Sequence, residues 1–278
     1  MWHLTKIPKI AHFYWGGGAL SYLRFLSVAS FKKQNPDWQV QVHVPSVDSV
    51  APADWDNNIS QDFRTQLVEL DVDVVAHDFD SYGFTNQAHE VHKSDFLRWR
   101  LLATQGGLWS DIDILYIRSM NNLAENLAEN STVDTALCPL MPPNKHTVGF
   151  ILGSANNAFY KHTSELSLKN YNPTVYQCMG SDLINGRFES FESFGQQFPQ
   201  HCFIFLNKKG VYSITSKTID QFYQPITVDT QKKLINSRVI GYHWFGGHPQ
   251  SQQFENNLQP ETLVDYTHFL ARTIQEKL

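Results

Sequence analysis

The stretch from His92 to Asp113 constrains the fold more than any other part of the chain. Phe96, Leu97, Leu101 and Leu102 recur at helical spacing and give one apolar stripe that can face a sheet. Ser94 or Asp95 can cap such a helix by accepting from the free N–H groups of its first turn. Gly106 and Gly107 stop it, since one of them can take the left-handed conformation that a C-terminal cap often needs. Leu108 and Trp109 then begin a short buried strand that carries Asp111 and Asp113. Side chains two apart on a strand share a face, so two carboxylates meet there and resist burial unless something positive lies between them. A hard divalent cation does that well, held by carboxylates together with the phosphates of a substrate. A bare Asp-x-Asp is common, and a solvated strand end is the plain alternative for the pair taken alone. Asp78-Phe79-Asp80 is a second such motif, without the helix or the glycine turn, and reads as a loop.

Around this stretch the periodicities alternate. Lys6–Trp15 reads as a buried first strand, ending in Gly16-Gly17-Gly18, where backbone can approach a ligand closely. The triple glycine is not the G-x-G-x-x-G of dinucleotide folds. Leu20–Lys33 reads as a helix, broken at Asn35-Pro36-Asp37-Trp38, and Val40–Pro45 as a second strand. Residues 46–60 read as a loop and Val68–Asp78 as a third strand, with Asp71 and Asp73 facing solvent. Strand, helix and strand in this order point to a parallel α/β sheet. Tyr116, Ile117 and Met120 continue the apolar surface, and 121–135 reads as a surface helix and loop. Strands are expected at 136–140 and 148–154, a helix at 156–170, a small β region over 199–228 and an amphipathic helix at 260–278.

The combination Ser94-Asp95-x-x-Arg98, then Gly106-Gly107-x-x-x-Asp111-x-Asp113, resembles the DXD-motif glycosyltransferases of GT-A fold. These share a core with the large clostridial glucosylating toxins, the initiating yeast mannosyltransferases and capsular polysaccharide transferases. Ile7-Pro8-Lys9-Ile10-x-His12-x-x-Trp15 and Asn35-Pro36-Asp37-Trp38 fit the same pattern. The resemblance implies an α/β fold with a mostly parallel central sheet flanked by helices and a small β region toward the C-terminus. It implies one domain over 1–278, with a nucleotide-sugar half at about 1–120 and an acceptor half and closing segment at about 121–278. By the same match Trp15, with Gly16 and Gly17, would line the base site, Trp15 otherwise being core. Asp95 and Arg98 would contact the donor sugar and its diphosphate, with Trp109 lining the donor. Those roles suit the residues: a carboxylate accepts from sugar hydroxyls and a guanidinium fork suits phosphate or sugar oxygens.

Val239–Gly247 is similar to the family's terminal His-x-Trp segment, which returns to the metal and phosphates. His243 is thus the candidate third ligand to Mn²⁺ or Mg²⁺ beside Asp111 and Asp113, with His248 as the fallback and a core histidine as the alternative. Trp244 would close over the diphosphate. Met179-Gly180-Ser181-Asp182 stands where the family has Gly-Pro, and either lines the acceptor pocket or simply starts a helix.

The net charge of −5 offers no basic footprint for nucleic acid. Cys138, Cys178 and Cys202 are sparse and odd in number, which fits a reducing compartment. The N-terminus shows no signal-peptide core, and no apolar run approaches the ~20 residues of a membrane helix. These features point to a soluble, cytoplasmic chain, in which the sequons at Asn58 and Asn130 are chance matches. The expected reaction moves a hexose from a nucleoside-diphosphate sugar, UDP-linked, to a hydroxyl of a saccharide acceptor with retention. A protein side chain or a hydroxymethylated DNA base stays open as acceptor. A metal-dependent nucleotide-sugar hydrolase and a carbohydrate-binding module are the readings from other classes.

Overall fold

The computed structural model describes residues 4–47, 59–125, 132–141, 145–187, 191–225, 227, 231, 234–235 and 238–278. Both sequons, Asn58 and Asn130, lie outside the described residues, as does most of the expected 46–60 loop. The elements run β1 (Ile10–Tyr14), α1 (Tyr22–Gln34), β2 (Gln39–Pro45), β3 (Asp73–His77), α2 (Glu90–Thr104), β4 (Gly107–Ser110) and β5 (Ile114–Tyr116). They continue through α3 (Met120–Glu125), β6 (Thr135–Met141), β7 (Lys145–Gly153), α4 (Ala158–Lys169), α5 (Ser181–Arg187), α6 (Phe191–Gln197) and β8 (Phe203–Phe205). The last are α7 (Asp220–Tyr223), β9 (Gly241–His243), α8 (Pro249–Asn257) and α9 (Phe269–Lys277).

Seven strands form the main sheet in the order β3-β2-β1-β4-β7-β6-β8. The β3-β2, β2-β1, β1-β4 and β6-β8 pairs are parallel, while β7 runs antiparallel to both β4 and β6. This is the expected mostly parallel sheet with helices on its faces. Strand alternation splits the core in two. Leu108 and Leu152 point to the α1 side, packed with Val28 and Phe31. Trp109 and Ile151 point to the other side, packed with Phe96, Leu97 and Leu102 of α2 and Phe159 of α4. A second, two-stranded antiparallel sheet joins β5 to β9. It is the small β region, built from Ile114–Tyr116 and Gly241–His243. Of the 199–228 stretch, Phe203–Phe205 instead extends the main sheet, and Lys208–Gly210 and Ser216–Thr218 are short 3₁₀ turns.

Three local expectations are corrected. Helix α2 begins at Glu90, a turn before Ser94 and Asp95, which lie inside it. The polar residues of that extra turn are buried yet paired: Glu90 accepts from Tyr14 Oη and from Lys93 Nζ, and His92 Nε2 donates to Val175 O. Paired polar groups no longer oppose burial, so the helix extends. Second, Thr65–Leu70 is a 3₁₀ helix, and Asp71 takes a left-handed φ of 54° before β3 starts at Asp73. Val68 is thus 70% exposed rather than part of a strand. Third, β4 stops at Ser110, so Asp111 and Asp113 stand in the turn between β4 and β5 and not on one strand face. Gly107 makes the helix-to-strand passage possible: its φ is +98°, and a Cβ there would lie 2.3 Å from Ile10 O. Among the described residues no helix is long and apolar enough to cross a membrane.

Candidate active site

Asp111 is aimed by its neighbours. Its N–H donates to Gly149 O (2.8 Å), the last bond between β4 and β7. Its Oδ1 accepts from Trp109 Nε1 (3.0 Å) and Arg98 Nη2 (3.3 Å). Gly149 also leaves room for the carboxylate, since a Cβ there would come within 2.3 Å of Asp111 Oδ2. Asp113 is fixed from the C-terminal segment: its Oδ2 accepts from Gly246 N (2.8 Å), and its backbone O accepts from Trp244 N (2.9 Å). Strand β9 brings in His243, whose ring lies 4.9 Å from Tyr212 and 4.3 Å from Phe245.

Asp111, Asp113 and His243 each offer a ligand atom, all within 4.8 Å of one another. His243 Nε2 is 3.1 Å from Asp113 Oδ1, but without hydrogen-bond alignment, and Asp113 Oδ1 and His243 Nδ1 are buried with no hydrogen-bond partner. Two carboxylates and an imidazole with spare lone pairs fit a divalent cation such as Mn²⁺ or Mg²⁺. The turn, rather than a shared strand face, is what brings the carboxylates together.

Helix α2 supplies the opposite wall. Asp95 Oδ1 is 3.1 Å from Arg98 Nη2, and both side chains are buried. Asp95 Oδ2 and the Nε and Nη1 of Arg98 have no hydrogen-bond partner. Burial pushes the Asp95 carboxyl up to about 7 against the pull of Arg98, and the nearby Asp111 and Asp182 push the same way. Gly180 lets Asp95 sit there, since a Cβ would lie 2.3 Å from its Oδ2.

These groups line one cavity of about 1050 Å³, with Trp15, Arg24, Trp109, Asp182 and His248 also in its wall. Trp15 carries the Arg24 guanidinium 4.6 Å from its ring centroid, so one ring face is taken. Three expected site residues stand elsewhere. Trp244 is fully buried outside the cavity wall, donating from Nε1 to Ser27 Oγ (3.2 Å); Arg24, 5.2 Å over its ring, lies against it. It cannot close over a diphosphate from there. Gly16 and Gly17 do not line the cavity either. Gly16 makes room for Glu90, whose Oε2 would be 1.9 Å from a Cβ, and Gly17 turns the chain at φ 118°. His248 lines the cavity but caps α8, its Nδ1 accepting from Gln250 N (3.3 Å).

Sequence reasoning missed Arg24 and the glycines Gly149 and Gly246. Arg24 sits in an ordinary-looking helix, where its buried pairing with Glu255 (2.6 Å) joins segments far apart in the chain. For Gly246 the double glycine after Phe245 was the available signal; Gly149 in a strand gave none beyond its small size.

Residues 25–130 match the family described as the glycosyltransferase sugar-binding region containing DXD motif. That span includes Asp95, Arg98, Asp111 and Asp113. No curated protein matches in sequence. Similar solved structures include the PaToxG glycosyltransferase, 16% identical, covering 99% of this chain and 88% of that one, at a TM-score of 0.46. The galactosyltransferase LgtC, in complex with donor and acceptor sugar analogues, is 13% identical over 91% of this chain and 98% of that one, at 0.46. The glycosyltransferase GlyE of Streptococcus pneumoniae TIGR4 is 14% identical over 97% of this chain and 62% of that one, at 0.48.

Proposed function

We propose that the protein is a single-domain, metal-dependent glycosyltransferase. It moves a hexose from a nucleoside-diphosphate sugar, UDP-linked, to a hydroxyl of a saccharide acceptor, with retention of configuration. One observation carries the reading: the Asp111–Asp113–His243 cluster faces the same cavity as the unpartnered, buried donors of Arg98. Buried polar groups without partners are costly unless a ligand satisfies them. Retention and the uridine base rest on the motif resemblance.

In this reading Asp111, Asp113 and His243 hold Mn²⁺ or Mg²⁺, which when bound supplies Lewis-acid neutralisation of a leaving diphosphate. Trp15, 4% exposed and packed in the core where it meets the cavity wall, is assigned to the base through the motif resemblance, a Trp being able to stack at small conformational cost. Arg98 donates to sugar or phosphate oxygens through Nε and Nη1, and Asp95 accepts a sugar hydroxyl, so the donor is held for departure and attack on one face. Trp109 keeps Asp111 oriented. No side chain is assigned as a nucleophile.

The test is thermal stabilisation by UDP, GDP, CMP and ADP, each with and without Mn²⁺. A ligand of the folded state raises apparent stability, so a Mn²⁺-dependent rise with one nucleotide, UDP, is expected. No rise with any nucleotide overturns the reading. Release of free sugar at one rate with and without saccharides would make the enzyme a hydrolase.

A further inference from the structure

The cavity wall holds a second guanidinium, outside every motif that the sequence offers. Arg24, on α1, is 4% exposed, and what it exposes faces the cavity. Its Nε donates to Glu255 Oε1 (2.6 Å) and its Nη2 to Glu255 Oε2 (3.4 Å). Glu255, on α8, is itself fixed, since Oε1 also accepts from Ser21 Oγ (2.6 Å). The guanidinium carbon lies 4.6 Å from the Trp15 ring centroid and 5.2 Å from that of Trp244. Two indoles and a carboxylate therefore set the fork, while Nη1 makes no hydrogen bond among the described residues. A buried ion pair adds little net stability by itself. Gly246 brings this fork to the metal cluster. A Cβ there would lie 2.6 Å from Arg24 Nη2, and the N–H of the same residue donates to Asp113 Oδ2 (2.8 Å). Arg98 Nη2 meets the other carboxylate, Asp111 Oδ1, at 3.3 Å. Each aspartate thus has a guanidinium near it, one from α2 and one from α1.

We infer that Arg24, aimed by Glu255, is a specificity-determining residue that makes the site select a diphosphate over a monophosphate. It takes the oxygens of one phosphate, while the Asp111–Asp113–His243 cluster and its cation hold the other. An anion that meets a carboxylate-bound divalent cation and a guanidinium beside it has the chemistry of a phosphate. Arginine's rigid fork suits phosphate oxygens, where lysine would offer only a point charge. The cation and Arg24 are two separate holding points, and a single phosphate at the cation leaves Arg24 Nη1 without a partner. The inference rests on the nucleotide-sugar reading above and adds the residue that reads the leaving group.

The experiment measures the Kd of UDP and of UMP, each with Mn²⁺, by calorimetric titration of wild type, Arg24→Gln, Arg24→Lys and Glu255→Gln. The preference for UDP over UMP is taken within each variant, so a uniform loss of stability cancels. Arg24→Gln should weaken UDP about tenfold, the scale of one hydrogen bond to a charged group, and leave UMP within about twofold of wild type. Arg24→Lys keeps a cation against Glu255 but lacks the fork, and should lose part of the preference; it decides alone if Arg24→Gln does not fold. Glu255→Gln removes the ion pair but keeps an oxygen that accepts from Arg24 Nε, and should keep the wild-type preference. An unchanged preference in the Arg24 variants overturns the assignment. An equal loss in Glu255→Gln and Arg24→Gln makes the pair a structural clamp and overturns it as well. A wild type that binds neither nucleotide is the separate failure of the nucleotide-sugar reading, and the assignment falls with it.

Discussion

Two polar networks are buried against the same sheet, and they differ in whether they are finished. On β1, β2 and β3, His12, His43 and His77 form a chain that ends on a carbonyl. His12 Nε2 is 2.9 Å from Gly106 O, His12 Nδ1 is 3.1 Å from His43 Nε2, and His43 Nδ1 is 2.8 Å from His77 Nε2. A carbonyl only accepts, so His12 must carry its proton on Nε2 and accept on Nδ1. The same logic then sets the tautomer of His43 and of His77, and every bond runs toward Gly106. On α2 and in the turn after β4, the strand next to β1, the second network stops short. Asp95 Oδ2, Arg98 Nε and Nη1, Asp113 Oδ1 and His243 Nδ1 are all buried without hydrogen-bond partners. A satisfied network rigidifies a core, whereas a partly satisfied one is expensive. The expense is tolerated where a ligand completes it, and Asp95, Arg98, Asp113 and His243 all line the large cavity, whereas His12, His43 and His77 do not.

The largest expected effect tests the unfinished network. Asp113→Asn keeps the shape, and its amide can still accept from Gly246 N, but it loses the anionic ligand atom. Turnover with Mn²⁺ should fall on the order of a thousandfold, since metal stabilisation of the leaving group is worth several kcal/mol. The melting temperature in EDTA should hold or rise, because the Asp111–Asp113 repulsion is relieved. Undiminished turnover would remove Asp113 from the metal site.

The finished network should behave in the opposite way. His43→Ala orphans His12 Nδ1 and His77 Nε2 and leaves a void, costing about 3–5 kcal/mol of stability by denaturant titration. Turnover per folded molecule should stay near wild type, as none of the three rings lines the cavity. A large loss of turnover at unchanged stability would make the chain part of the catalytic apparatus.

The contrast between the networks also shows what could be read along the chain. Asp95, Arg98, Asp111 and Asp113 could be picked out because they lie close together along the chain, on a helix, past a glycine turn and in the turn after β4. The histidine chain was not, since His12, His43 and His77 come together only through parallel pairing of β1, β2 and β3. Helix α2 was recognisable by its apolar stripe, but its true start was hidden, because Glu90 and Lys93 look like solvent residues until Tyr14 closes over them. Trp244 misled for the reverse reason. Its neighbour His243 ends β9 facing the site, while Trp244, the next residue, puts its indole into the core beside Ser27.

Protonation separates the networks by sign. Burial lowers His12 to about 4 and His43 to about 2, and it lowers His77 as well. The unfolded chain, whose histidines titrate near 6.5, then binds more protons below that pH, so stability drops as pH falls. His12 alone should withdraw about 3 kcal/mol between pH 6.5 and pH 4. Asp95, raised to about 7, works the other way: the folded state holds its proton more firmly, so stability rises as pH falls from 7 toward 4. The two oppose each other in the wild type. Asp95→Asn should therefore show a steeper acid loss than wild type in denaturant titrations at pH 7, 5.5 and 4.5 in EDTA. Identical slopes would mean that Asp95 titrates as an ordinary carboxyl.

The smallest effect decides which histidine belongs to the unfinished network. His248 lines the cavity but accepts from Gln250 N at the start of α8, and it is not among the groups within ligand distance of one another. An N-cap is worth about 1 kcal/mol, so His248→Ala should lower stability by that amount and leave the Mn²⁺ concentration for half-maximal turnover unchanged. His243→Ala should raise that concentration at least about tenfold, because one of three protein ligands is gone. If His248→Ala moves the Mn²⁺ requirement and His243→Ala does not, the cap and the ligand have been assigned the wrong way round. The cluster would then have to form around a rearranged Phe245–His248 turn, whose left-handed Phe245, at φ 55°, is the strained point through which such a change would pass.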